Sequence, residues 1–380
     1  MLITKRLEKF AEYPFLQLAK KVKETEKVSN KKILDLGAGI PDIKPSQVYI
    51  DKLIKYIKED TAHYYPSQIA IPEFSKALIL WYQKRFNVVL DSSEILPLLG
   101  AKDGISHLPL ALLDEGDECL IPNPGYPAFE SSVLIAGGVP IYYNINFTDS
   151  NLIDFIELEK RVSKKTRFMW VNFPSNPTGL VANKEILQKI INFARKHNIF
   201  IVYDNAYSEI TFDNFIAPSI LEIDGAKDIA IEIGSFSKTF SFAGFRMGWA
   251  LGNNTVISML GKIKSQMDSG LSIPLQKLGA FALTNKDTTW HSNMLENYQK
   301  RRDVVAKNLL KLGLTFSLAP GGLYIWAKIP DQAKDSKTFC YNLLSKKQIL
   351  LTPGIFFGSN GDRYVRASIC VNIDNIDNYF

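Results

Sequence analysis

Between residues 94 and 252 the chain repeats one pattern, a short apolar run followed by an amphipathic stretch, and few folds can accommodate it. A short apolar run bounded by Gly, Pro, Asp or Asn reads as a strand buried on both faces, and a longer segment with a 3.6-residue apolar period reads as a helix packed on it. Repetition of the two specifies βα units around a mainly parallel sheet. Seven strands are predicted: EILPLL (94–99), ECLI (118–121), PIYYNI (140–145), FMWVN (168–172), IFIVYD (199–204), IAIEI (229–233) and MGWAL (247–251). The helix period is clearest in NKEILQKIINFARKHN, where Ile186, Leu187, Ile190, Ile191 and Ala194 share one face.

The flanks read differently. The first 30 residues are charged and helical, with Phe10, Tyr13, Phe15 and Leu18 as a sparse apolar side. Such an arm needs a surface to cover. Beyond about residue 276, the helical segments LQKLGAFALTN and NMLENYQKRRDVVAKNLLKLG precede short strands at LYIWAKI (323–329) and RYVRASIC (363–370). At 380 residues the chain exceeds one ordinary domain. The expected division is an arm with part of a small domain (1–45), a large domain (46–285) and a small C-terminal α/β domain (286–380).

Charge and cysteine usage narrow the function classes. The net charge of +6 is dispersed in short pairs such as Lys20-Lys21 and Arg301-Arg302, which favours small anions over nucleic acid. No apolar stretch is long enough to span a bilayer, and MLITKRLEKF carries charges where a signal peptide needs its apolar run. Cys119, Cys340 and Cys370 are far apart, and His63, His107, His197 and His291 have no second histidine or cysteine at ligand spacing. The expectation is a cytoplasmic protein with neither a disulfide framework nor a metal.

The segment GSFSKTFSFAGFRMGWALG (234–252) carries the most chemistry. A lone lysine in a loop is ordinarily a solvated charge, but Lys238 has distinctive company. Ser235 and Ser237 can donate to a phosphate, Gly244 allows a bend, and Arg246 can fork onto phosphate oxygens. Phosphate ligands around an amine suit pyridoxal 5'-phosphate (PLP), which carries both a phosphate and an aldehyde that lysine converts to a Schiff base. Three further segments end strands of the same sheet, where open α/β folds build their ligand site. Asp204 closes IFIVYD with Tyr207 three residues on, and its carboxylate can pair with a pyridine nitrogen or merely cap a helix. In NFPSNPTG, Asn176 is either a turn residue or a donor to the phenolate oxygen of PLP. In LLGAKDGISHL, the N–H groups of Ala101 and Lys102 would face an anion at a helix start, and Tyr126 of PNPGYPAF can stack on a ring.

Taken together and in order, these motifs resemble the fold-type I, class I/II aminotransferases over nearly the whole chain. DLGAGIPD resembles that family's glycine-rich substrate loop, HYYPSQIAIPEF its Tyr-x-Pro segment, and GDRYVRASI its carboxylate-binding arginine motif. The resemblance implies PLP, an amino-acid and a 2-oxo-acid substrate, and a homodimer. It gives Lys238 the Schiff base and proton shuttle, Asp204 the ring nitrogen, and Asn176 and Tyr207 the phenolate oxygen. Tyr126 would stack on the ring. Ser235, Arg246 and the Ala101 and Lys102 amides would take the phosphate, joined across a dimer interface by Tyr64. Arg366 would bind the substrate carboxylate, assisted by the backbone near Gly39. Ala70 and Phe245 depart from the family's glycine and tryptophan, which bears on the shape of the substrate loops. Within the family the chain is most similar to the LL-diaminopimelate, aspartate and alanine aminotransferase group. A PLP lyase or synthase on the same fold is the alternative, because fold does not fix reaction.

Overall fold

The computed structural model describes residues 8, 10, 14–29, 32–147 and 152–380. In chain order the strands begin with Leu34–Asp35 (β1), Ile95–Leu98 (β2), Glu118–Asn123 (β3), Val139–Asn144 (β4), Thr166–Asn172 (β5) and Phe200–Asp204 (β6). They continue with Ala230–Ser235 (β7), Gly248–Gly252 (β8), Tyr324–Lys328 (β9), Ile349–Leu350 (β10), Thr352–Pro353 (β11) and Tyr364–Ser368 (β12). The seven predicted strands of the large sheet are β2 to β8, and each boundary lies within two residues of its expected place. Their order is β2-β8-β7-β6-β5-β3-β4, parallel from β7 to β4, while β8 runs antiparallel to both of its neighbours.

Burial explains why these runs lack a polar face. Successive side chains of a strand point to opposite sides, and both sides of this sheet are covered. Met169 and Val171 belong to the core beneath helix Lys184–His197, whereas Phe168 and Trp170 join the opposite core beneath helix Ala101–Leu112. The helix at 184–197 buries Leu187, Ile190, Ile191 and Ala194 completely. Asn183 caps its start by accepting from the Ile186 N–H at 3.0 Å, and Asn198 closes it in the left-handed region at φ 51°.

The smaller unit is built from both ends of the chain. β12 pairs antiparallel with β9 and β11, and β1 pairs parallel with β10. These strands and helices Thr288–Leu310 and Ser336–Lys347 enclose a separate core that includes Leu36, Tyr298, Val305, Cys340 and Val365. Helix Pro14–Val28 covers this chain's own small unit: Leu18 is buried against Leu344 and Leu350. The described part of the arm therefore has a surface within its own chain. Tyr13, most of MLITKRLEKF and Lys31 lie outside the described residues. Among the described residues, no helix is long and apolar enough to cross a membrane.

Strand direction positions the site. β2, β3, β5, β6 and β7 end at one edge, and their following loops carry Gly100, Tyr126, Asn176, Tyr207 and Lys238 to it. Because β8 is reversed, its first residue lies at that same edge, which brings Arg246 beside the start of helix Ala101–Leu112.

Candidate active site

A cavity of about 420 Å³ opens at this edge, between the large sheet and the small unit. At one end the start of helix Ala101–Leu112 meets Ser235, Ser237 and Arg246. Gly100, at φ +84°, supplies no side-chain cap, and a Cβ there would come within 2.5 Å of the Arg246 guanidinium. Only glycine lets the guanidinium lie this close to the helix start, so the positive end of the helix and a cation can converge on one anion. Ser235 accepts from the Ser237 N–H at 3.1 Å and keeps its own proton to donate. Gly244 lies in a 3-10 turn, Ala243–Phe245, closed by the Phe245 N–H donating to the Phe242 carbonyl at 3.0 Å, but its φ is ordinary and a Cβ would meet nothing within 4 Å. The left-handed positions of this segment are Ser241 and Arg246, at φ 57° and 52°.

Behind this anion site, Asp103 fixes the helix by accepting from the Leu99 N–H at 2.9 Å and bonding the buried Lys264. Burial raises the Asp103 carboxyl, but His107 and Lys264 outweigh that effect and hold it below its usual value. Asp103, His107 and Asp268 could together ligate a cation, yet the Lys264 ammonium already bonds both carboxylates, with Asp268 at 2.7 Å.

Asp204 lies deeper in the cavity. Its carboxylate accepts from the Ala206 N–H at 3.2 Å, and among the described residues no cation pairs with it. Burial pushes its pKa up to about 7, opposed by the Ala206 bond and by the charge of Lys238. No helix follows Asp204, so the capping alternative does not apply. A buried carboxylate of this kind suits a protonated ring nitrogen, which would restore its charge. Tyr207 is buried nearby, and burial holds its phenol protonated, well above its usual value. The Lys238 amine is 3.4 Å from the Gly39 carbonyl and 5.5 Å from the centre of the Tyr207 ring.

The far wall holds Arg366, which is only 3 % exposed. Its Nη1 donates to Asn176 Oδ1 at 2.9 Å and its Nη2 to the Gly37 carbonyl at 2.8 Å, while Nε is buried with no partner. No carboxylate among the described residues neutralises it. Its guanidinium carbon lies 4.1 Å from the centre of the Tyr324 ring, with Phe357 and Phe15 at 4.7 and 5.6 Å. A buried cation without a counter-ion is costly unless a ligand supplies the charge. A helix start beside a guanidinium, a buried carboxylate, an amine and a buried arginine with no carboxylate partner thus fit PLP and an amino acid together.

The structure brings Gly39, Ala101, Lys102, Tyr126, Asn176, Asp204, Tyr207, Ser235, Ser237, Lys238, Arg246 and Arg366 to this one cavity. Tyr64 is elsewhere, 57 % exposed on the surface. Ala70 and Phe245 pack at the margin of the large core and do not line the cavity. The motifs missed Phe15, Ile40 and Tyr324, which also line it. Tyr324 sits inside the apolar run LYIWAKI, where a tyrosine reads as core.

Comparison with known proteins agrees with this geometry. The family model for aminotransferase class I and II matches residues 31–379. The LL-diaminopimelate aminotransferase of Dehalococcoides mccartyi (strain CBDB1) is 36% identical over 378 residues, covering 99% of this chain and 97% of that protein. Substrate-bound BacF from Bacillus subtilis superposes with a TM-score of 0.93 at 32% identity, over 100% of this chain and 96% of that one. N-Succinyldiaminopimelate aminotransferase from Mycobacterium tuberculosis does so with a TM-score of 0.91 at 25% identity, over 100% and 98%. With a PLP-compatible cavity, a matching family model and relatives aligned end to end, the chain belongs to the class I and II aminotransferases.

Proposed function

We propose that this aminotransferase takes LL-diaminopimelate or a closely similar amino acid as donor and hands its amino group to a 2-oxo acid in two half-reactions. The observation that carries an amino-acid substrate is Arg366, a buried guanidinium with an orphaned Nε and no carboxylate partner. The choice of donor rests on the curated relatives at 36% identity.

Bound PLP supplies an aldehyde to receive the amine and a ring that accepts electron density from the substrate Cα. On our reading, the N–H groups of Ala101 and Lys102 with Ser235, Ser237 and Arg246 hold its phosphate. Asp204 keeps a proton on the ring nitrogen, Asn176 and Tyr207 donate to the phenolate oxygen, and Tyr126 covers the ring. Lys238 would hold the cofactor through its aldehyde and, with a substrate amine in its place, would be the base beside Cα that moves the Cα proton. Arg366, helped by the backbone near Gly39, grips the α-carboxylate and orients the Cα–H bond toward the lysine.

A homodimer belongs to the same reading. Tyr64 would reach the neighbour's phosphate, and its exposed neighbours Tyr65 and Ile69 support a covered face there. Residues 46–285 would form the large domain, 286–380 the small one, and 1–45 the arm plus a share of the small domain, a division supported by the β1–β10 pairing. Three free cysteines accord with a cytoplasmic setting.

A donor panel tests the substrate. With 2-oxoglutarate as acceptor, LL-diaminopimelate is expected to exceed alanine, aspartate and other donors in kcat/KM by at least ~10-fold, a difference of about 1.4 kcal/mol. Equal or better turnover of another donor removes the diaminopimelate assignment. The carboxylate site is tested by Arg366→Lys, which keeps the charge and loses the planar fork. It should lower kcat/KM for amino acids by roughly 10²-fold or more with little change in PLP affinity. An amine without a carboxylate should react equally poorly with both proteins.

A further inference from the structure

Tyr324 stands on β9 in the small unit, and three contacts converge on it. Its hydroxyl is 3.1 Å from the hydroxyl of Tyr207. Its ring lies against the Arg366 guanidinium, 4.1 Å from ring centre to guanidinium carbon. Gly39 is so close that a Cβ there would come within 2.0 Å of the Tyr324 oxygen. One side chain therefore touches the Tyr207 phenol, the Arg366 guanidinium and the loop that carries Gly39.

We propose that Tyr324 is a positioning residue for amino transfer: its hydroxyl donates to the Tyr207 oxygen and aims the Tyr207 proton at the cofactor's phenolate oxygen, while its ring holds Arg366 flat for the substrate carboxylate. The inference rests on assigning Tyr207 to that phenolate oxygen. A phenol has one proton to give and lone pairs to accept with. Offered an anionic oxygen, Tyr207 gives its proton there, because a charge-assisted bond is stronger than one between neutral groups. The Tyr207 oxygen is then left as acceptor for Tyr324. Donation into Tyr207 polarises its O–H bond and strengthens what it gives onward.

The ring acts separately from the hydroxyl. An aromatic face at this distance from a guanidinium lies within cation–π range and fixes the plane of the fork. Nη1 and Nη2 are held by Asn176 and Gly37, so the ring and those two acceptors leave Nε as the unpartnered edge. Tyr324→Phe removes the hydroxyl and keeps the ring. Tyr324→Leu removes both.

The test is a pH titration of the visible absorbance of the PLP-loaded enzyme, for the parent, Tyr207→Phe, Tyr324→Phe and the double variant. A donor to the phenolate oxygen favours its ionised form, so losing the donor raises the midpoint. Tyr207→Phe is expected to raise it by about 1 unit or more, and Tyr324→Phe by roughly half a unit, because only part of the second bond's effect is passed on. The double variant should match Tyr207→Phe alone. Tyr324→Phe should hold KM for the amino donor within about twofold, whereas Tyr324→Leu should raise it roughly tenfold or more. An unchanged midpoint in Tyr324→Phe, or the same rise in the Tyr207→Phe background, overturns the inference while leaving the Tyr207 assignment intact. A Tyr207→Phe midpoint equal to the parent's removes that assignment and this inference with it.

Discussion

Lys238→Ala is expected to abolish amino transfer, a fall of at least ~10⁴-fold, because one amine serves both as covalent attachment and as proton carrier. The site has no ready substitute. Lys102, the other lysine on the cavity wall, is exposed at the helix start, while Lys238 faces Tyr207 and the Gly39 carbonyl. The anion site is built from other residues, so the variant should still bind PLP, now without a covalent link. Small primary amines added to the assay should restore part of the rate by entering the vacated space. Single-turnover absorbance with an amino donor measures the effect. A variant that converts its donor near the parent rate, with no added amine, would remove Lys238 from the chemistry.

The second large effect is expected at Asp204, and it has opposite signs for activity and stability. With PLP bound, Asp204→Asn would lose the charge proposed to keep the ring nitrogen protonated. Turnover should fall by roughly 10²- to 10³-fold or more, the scale found when a preorganised electrostatic partner is removed. Without PLP the same carboxylate is a liability. Its folded-state pKa is raised from 3.8 to about 7, so its contribution to stability is fully present below about 4 and is lost as pH rises through 7. A shift of about three units corresponds to about 4 kcal/mol as an upper figure. Cofactor-free Asp204→Asn should therefore melt above the cofactor-free parent at pH 8, with the two converging near pH 4. Parallel melting curves across that range would show that Asp204 is not held uncharged by burial.

The sequence makes some of this architecture visible and hides the rest for physical reasons. The seven strands are legible because burial on both faces leaves uninterrupted apolar runs such as IFIVYD and FMWVN. An apolar run carries no direction, so the reversal of β8 could not be read from MGWAL, although it is what brings Arg246 to the helix start. β1, β10 and β11 are two residues long and leave no period to detect. The residues gathered in the cavity stood out as polar or small groups closing apolar strands, as with Asp204 after IFIVYD. Tyr324 did not, since its apolar ring and its alternating strand neighbours look like core until Tyr207 and Arg366 are seen beside it. Gly244 does lie in a turn, but one with an ordinary φ that needs no glycine; the left-handed positions fall at Ser241 and Arg246. Phe15 comes from the N-terminal arm, where the motif order gave no site, and Ile40, beside Gly39 in DLGAGIPD, is an apolar side chain with no chemistry to single it out. Tyr64 lies on the exposed surface away from the cavity, and its place in the site rests on the proposed homodimer.

If the amine of Lys238 holds PLP in this cavity, borohydride reduction of the PLP-loaded protein will fix the cofactor to that residue. Proteolysis and mass mapping should then find one pyridoxyl-modified peptide spanning GSFSKTFSFAGFR with the modification on Lys238, and none in Lys238→Ala. Modification of Lys102 or another lysine in its place, or none in a protein that still transaminates, would contradict it.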